Sequence, residues 1–161
     1  LCALASRDAG LAQAALQCVD GLVVLLLSGT DKGKEEAAAA LWSLAITNSR
    51  LKLAVAHAGA IPPMIKLLGS GTSAGKEEAA GVLWTLLSNE DDRKASIDVK
   101  VTLDNALDLV HLLTTGTDMG KEAAAGVLRL SALLDLNKAP IFQAMAVEPL
   151  VELLHTGTEG A

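Results

Sequence analysis

The 161 residues are 51% apolar yet include one Phe, two Trp and no Tyr, so the core has to be built from Leu, Ala, Val and Ile, which suits close-packed helices and argues against an aromatic-rich β-sandwich. A net charge of −6 without any Lys/Arg cluster argues against a phosphate-tracking surface, and so against nucleic acid as a direct partner. Apolar runs such as 22–27 and 37–46 fall short of the ~18–20 residues that cross a bilayer, and no membrane span is expected.

Taken in chain order, Leu1 to Ala5 reads as the tail of a helix matching residues 41–45. Cys2 and Cys18 lie on apolar helical stretches without metal-ligand spacing, which predicts two buried thiols in a reducing, intracellular setting, cytoplasmic or nuclear. No charged segment precedes an apolar one, so no secretory signal is expected within the chain. At residue 29 begins "GTDKGKEEAA", repeated as "GTSAGKEEAA" at 71 and "GTDMGKEAAA" at 116, with a clipped "GTEGA" at 157. A period slightly above forty residues is the signature of a helical repeat array. It divides the chain into a partial unit 1–28, units at about 29–70, 71–115 and 116–156, and a truncated unit 157–161.

Within a unit, the Gly-Thr pair breaks the preceding Leu run, and a helix must start just after it. Asp31, Ser73 and Asp118 are the expected N-caps, with Thr30, Thr72 and Thr117 beside them as alternatives. Glu35, Glu77 and Glu122 fall in the first turns, where the helix dipole favours carboxylates; their expected role is a solvated helix start, with a charged ladder for a basic partner as the lesser alternative. This helix passes Leu41 and Leu44 and frays over 47–50. A short amphipathic helix follows, then a Gly59-Ala60 break and a further helix opened by Pro62, which is tolerated where the first-turn N–H has no partner. Gly59 is matched by Gln17, Asp104 and Met145, and the stretch 91–105 is longer by three residues, so the bend in that unit should differ from its neighbours.

"AVAHAGAIPPMIKLLGSG" at 54–71, followed by "KEEAAGVLWTLL" at 76–87, resembles an armadillo repeat. HEAT repeats, with two helices per unit, are the nearest rival. The resemblance covers nearly the whole chain and implies an all-α fold, a right-handed α–α superhelix, in which the third helix of each unit faces a concave groove for partner proteins. No polar capping repeat is visible at either end, so a segment of a longer solenoid is expected.

Chemistry within residues 1–161 is not expected. His57, His111 and His155 lack a carboxylate or Cys at useful spacing and read as surface residues. Gly71 and Gly75-Lys76 miss the P-loop spacing and no Ser or Thr follows the Lys. Asp91 and Asp92 lack the EF-hand ligand pattern. No enzyme activity, cofactor or metal is predicted.

What remains is a face. Nuclear-import receptors of the resembled family carry a Trp and, four residues later, an Asn in each third helix; here the matching pairs are Ala39/Ser43, Gly81/Thr85 and Gly126/Leu130, so that ladder is missing. Trp42, Trp84 and Arg129 are equivalent one position before the Asn, and with Ser43 and Thr85 they form a candidate protein-binding stripe. The competing reading has the indoles filling space between adjacent third helices, with Arg129 along the same seam. Small residues at 39, 43, 81, 85 and 126 would floor a mildly acidic groove open to a helical or apolar-anchored segment. The expected function is a non-catalytic protein-interaction scaffold; the alternative is a permanent structural subunit of a large assembly, packed through its outer face and unit edges.

Overall fold

The computed structural model describes residue 14 and residues 17–47, 49–88 and 101–156, and every regular element among them is an α-helix. In chain order these are α1 Gln17–Ser28, then α2 Asp31–Thr47, α3 Ser49–His57, α4 Ile61–Ser70, α5 Ser73–Leu87, α6 Leu103–Thr115, α7 Asp118–Ser131, α8 Asp135–Gln143 and α9 Val147–Thr156. The expectations for Leu1 to Ala5 and Cys2, for Asp91 and Asp92, and for residues 157–161 lie outside the described residues. Among the described residues no single helix is long and apolar enough to cross a membrane.

α2, α5 and α7 are the same helix in successive repeats, and they pack side by side, α2 on α5 and α5 on α7. A second row runs alongside: α4 packs on α5 and α6, and α6 packs on α7, α8 and α9. α5 lies between neighbours on several sides, which is why residues 79–83 are buried in an unbroken run together with Leu86 and Leu87 instead of as one stripe. α4 has the one-sided pattern of an outer helix, with Met64, Leu67 and Leu68 inward. The repeat-equivalent Leu41, Leu83 and Leu128 are each at most 1% exposed and sit in one continuous core.

The threonines, and not their neighbours, start the third helices. Thr72 and Thr117 have extended backbones, φ −61°, ψ 164° and φ −64°, ψ 166°, and their hydroxyls accept from the N–H of Gly75 and Gly120 at 3.0 and 3.2 Å. Thr30 accepts from Gly33 in the same way at 3.1 Å. The expected caps Asp31, Ser73 and Asp118 are instead the first helical residues. A hydroxyl one residue earlier reaches the third amide from extended backbone, while Asp31 and Asp118 at the first helical position still face the positive end of the dipole.

The turn into the second helix differs between units. α3 and α4 meet at 78°, and Gly59 between them takes φ +78°, a left-handed conformation that costs glycine little. Asp104 in the next unit lies inside α6, which opens instead on a reciprocal cap between Thr102 and Asn105. Met145 keeps the left-handed turn at φ +56° without being glycine. Since Met145 is 71% exposed it contributes little packing, and Met145→Gly should raise the unfolding free energy by about 1 kcal/mol by removing the strain of the β-carbon. Denaturant titration of the two proteins checks this; a lower midpoint for the variant would refute it.

Cys18 is exposed, contrary to the expectation of a buried thiol. Val19, Val23 and Leu26 set the inward stripe of α1, and Cys18, one residue before it, is turned about 100° away. His57, His111 and His155 are exposed, as expected.

Candidate functional site: the third-helix face

The recurring phrase turns out to be the joint between repeats. Its first glycine ends the second helix: Gly71 and Gly116 donate their N–H to the carbonyls of Leu67 and Leu112 at 2.8 and 2.9 Å, with no room there for a Cβ. Its threonine caps the third helix. Its glutamate reaches forward to the next repeat, where Glu35 Oε2 accepts the Thr72 hydroxyl at 2.7 Å. Glu77 accepts both the N–H of Thr117 at 2.9 Å and its hydroxyl at 2.7 Å. The second glycine makes space for that carboxylate, because a Cβ on Gly120 would lie 2.7 Å from Glu77 Cγ. Glu35 and Glu77 are therefore clasps between units, where the sequence suggested a solvated helix start or, as the lesser alternative, a charged ladder for a basic partner. The Glu35 carboxyl is held below the usual glutamate range, first by hydrogen bonding to Lys32 and then by the Thr72 hydroxyl.

The two indoles lie across the same seams. Trp42 on α2 covers Gly81 on α5, where a Cβ would come within 2.6 Å of the ring; Trp84 on α5 covers Gly126 on α7, where it would come within 2.4 Å. Gly81 and Gly126, expected in the floor of a groove, are thus buried beneath the tryptophans of the preceding unit. The indoles fill space between adjacent third helices, yet both stay half-buried. Trp42 donates its Nε1–H to Thr85 Oγ1 at 3.0 Å, which engages Thr85 within the protein.

Between the two rings is an open depression of about 450 Å³ lined by Ala39, Trp42, Ser43, Ile46, Glu78, Trp84 and Met119. Three of the five stripe residues, Trp42, Ser43 and Trp84, meet there; Arg129 is exposed on α7 and is not in the wall. Ile46 and Met119, 66% and 59% exposed, were not singled out from sequence. They come from different positions of the repeat, and only the fold brings them together.

Glu78 is the charged member of this wall. Burial raises its carboxyl above the usual glutamate range, and the negative charges of Glu77, Glu35 and Glu36 raise it further. Lys32 is engaged with Glu35 and Glu36, and no cation pairs with Glu78 among the described residues. A partly buried carboxylate in an apolar wall favours an incoming positive charge.

Residues 48–88 match the Armadillo/beta-catenin-like repeat family. An engineered protein of known crystal structure is similar to 88% of the chain at 31% identity, with a TM-score of 0.65. A computationally designed armadillo repeat protein for modular peptide recognition aligns with 88% of the chain at 23% identity and a TM-score of 0.66. A designed armadillo repeat protein in complex with the peptide (KR)4 does so at 24% identity and 0.65. The chain spans 56%, 58% and 58% of the lengths of these three proteins. No curated protein matches it significantly.

Proposed function

Since the chain is an array of armadillo repeats, folded as a right-handed α–α superhelix, we propose that its third-helix face is a groove holding a segment of another protein. That segment places an apolar side chain in the depression between Trp42 and Trp84, and a basic residue beside it for Glu78. The observation that carries this reading is Glu78 itself, a partly buried carboxylate with no paired cation among the described residues, set among two indoles, Ile46 and Met119. The designed relative that holds a Lys-Arg peptide supports the basic component. Ser43 widens the entrance, Thr85 holds Trp42 in place, and Arg129 stands beyond the depression as a contact for an acidic group further along the segment. The role is non-catalytic.

The test uses fluorescently labelled octapeptides of alternating Lys-Leu and alternating Glu-Leu, followed by anisotropy. The Lys-Leu peptide binds and the Glu-Leu peptide does not. Trp84→Ala weakens binding about 30-fold, the loss of a ~2 kcal/mol anchor. Affinity falls as pH drops through the raised Glu78 range, because the protonated carboxyl no longer attracts ammonium, and Glu78→Gln abolishes that dependence. Glu78 acts on stability with the opposite sign: its contribution is fully present below the ordinary glutamate range and is lost as pH rises through its raised value. Equal affinity for both peptides, or none for either, would dispose of the reading.

One observation favours a second reading, a subunit built into an assembly. Phe142 on α8 and Val147, Val151 and Leu154 on α9 are large apolar side chains exposed to solvent. Self-association of the isolated chain that Leu154→Glu disperses would support this reading; a monomer at all concentrations would count against it.

A further inference from the structure

We infer that the depression between Trp42 and Trp84 is a seat for a quaternary ammonium, and that its occupant is a trimethylated lysine side chain of the partner. The inference rests on the groove reading above: the apolar group and the positive charge called for there are met by one chemical group.

On α5, Glu78, Gly81 and Trp84 follow one another at intervals of three residues, which places them along one face of the helix. Trp42 reaches across from α2 and covers the middle one. A Cβ on Gly81 would meet its Cε2, Cδ2 and Cζ2 at 2.6, 2.7 and 2.7 Å; two of these are the ring-fusion carbons, which are approached only through the flat of the indole. One face of Trp42 is thus turned to Gly81 and its Nε1–H to Thr85, which leaves the opposite face for the depression that the ring lines. Glu78 and Trp84 flank it along α5, and Met119 adds a polarisable thioether to the same wall.

The charge distribution of this wall favours a cation, while its hydrogen bonding disfavours an ordinary one. The flat of an indole is negative and attracts positive charge, and the half-buried Glu78 has no paired cation among the described residues. The side-chain acceptors in the lining are the Glu78 carboxylate and the Ser43 hydroxyl. A primary ammonium carries three donors and is strongly hydrated, and a guanidinium carries five, so either gives up more hydrogen bonds to water than this wall replaces. A trimethylammonium has no donor to satisfy, packs its methyl groups on the ring, and is the kind of cation that aromatic surfaces recognise. The depression, open and of about 450 Å³, admits this head with its methylene stem.

The test compares three forms of the alternating Lys-Leu octapeptide by anisotropy on the unmutated protein: unmodified, with its third lysine trimethylated, and with that residue replaced by the uncharged tert-butyl isostere of trimethyllysine. The trimethylated form binds about tenfold more tightly than the unmodified one, and the isostere, alike in shape but without charge, binds no better than the unmodified one. Free choline competes far more weakly than the trimethylated peptide. Trp42→Leu makes the trimethylated and unmodified forms equal, whereas Glu78→Gln weakens both and keeps their order. A trimethylated form no tighter than the unmodified one, or an isostere as tight as the trimethylated form, overturns this inference and leaves the groove reading intact. Choline binding as tightly as the trimethylated peptide overturns the assignment to a side chain. Failure of all three peptides to bind overturns both readings. The peptide series on the unmutated protein decides the matter even if Trp42→Leu folds poorly.

Discussion

Gly126→Ala lowers the unfolding free energy by about 1–3 kcal/mol, although alanine is the better helix former by about 1 kcal/mol. The added methyl would lie 2.4 Å from Trp84 Cδ1 and 2.5 Å from Nε1. The obstacle is a rigid ring seated between α5 and α7, not the far end of a flexible chain. Gly81→Ala meets Trp42 in the same manner, at 2.6 Å, and also strains its hydrogen bond to Thr85. The double variant Trp84→Ala/Gly126→Ala removes the clash, so the two changes should show a strong favourable coupling in a denaturant-melting cycle. A Gly126→Ala protein more stable than wild type would show that the indole does not seal the seam.

Thr117→Ala costs about 2 kcal/mol, from the loss of the N-cap together with a charge-assisted hydrogen bond. The Thr117 hydroxyl both accepts from Gly120 and donates to Glu77, so one oxygen starts α7 and ties it to α5. Thr117→Ser keeps both bonds and should stay near wild type. Glu77→Ala measured alone and with Thr117→Ala gives the coupling across the joint; additive effects would mean that no clasp exists. The Glu35–Thr72 joint carries a pH signature. Because the Glu35 carboxyl is depressed, its contribution is present above the ordinary glutamate range and is lost as pH falls through the depressed value.

Much of this architecture was legible because its cause is periodic. The Gly-Thr phrase recurs wherever a second helix must stop and a third must start, and hydroxyls and glycines signal both events locally. Partners some forty residues away are another matter. Glu35 and Glu77 sit where a helix dipole welcomes a carboxylate, so local reasoning was satisfied before reaching Thr72 and Thr117. The choice of Thr over Asp or Ser as cap depended on which backbone turned extended, which neighbouring side chains do not reveal. The row Trp42, Trp84 and Arg129 was visible, but its relation to Gly81 and Gly126 was not, because those glycines were counted as open floor. A signal was available: each Trp is followed one repeat later by a glycine in the facing helix. Ile46, Glu78 and Met119 come from three different positions of the repeat, and only packing assembles them with the indoles.

The forward-reaching carboxylates give the array a direction. Each third helix after the first borrows part of its opening turn from the unit before it, whereas a unit that loses its successor keeps its own cap and leaves only a hydrated glutamate behind. Each such bond is an energy shared by the two units it joins, so a unit held by one joint opens before a unit held by two, and disorder advances one joint at a time.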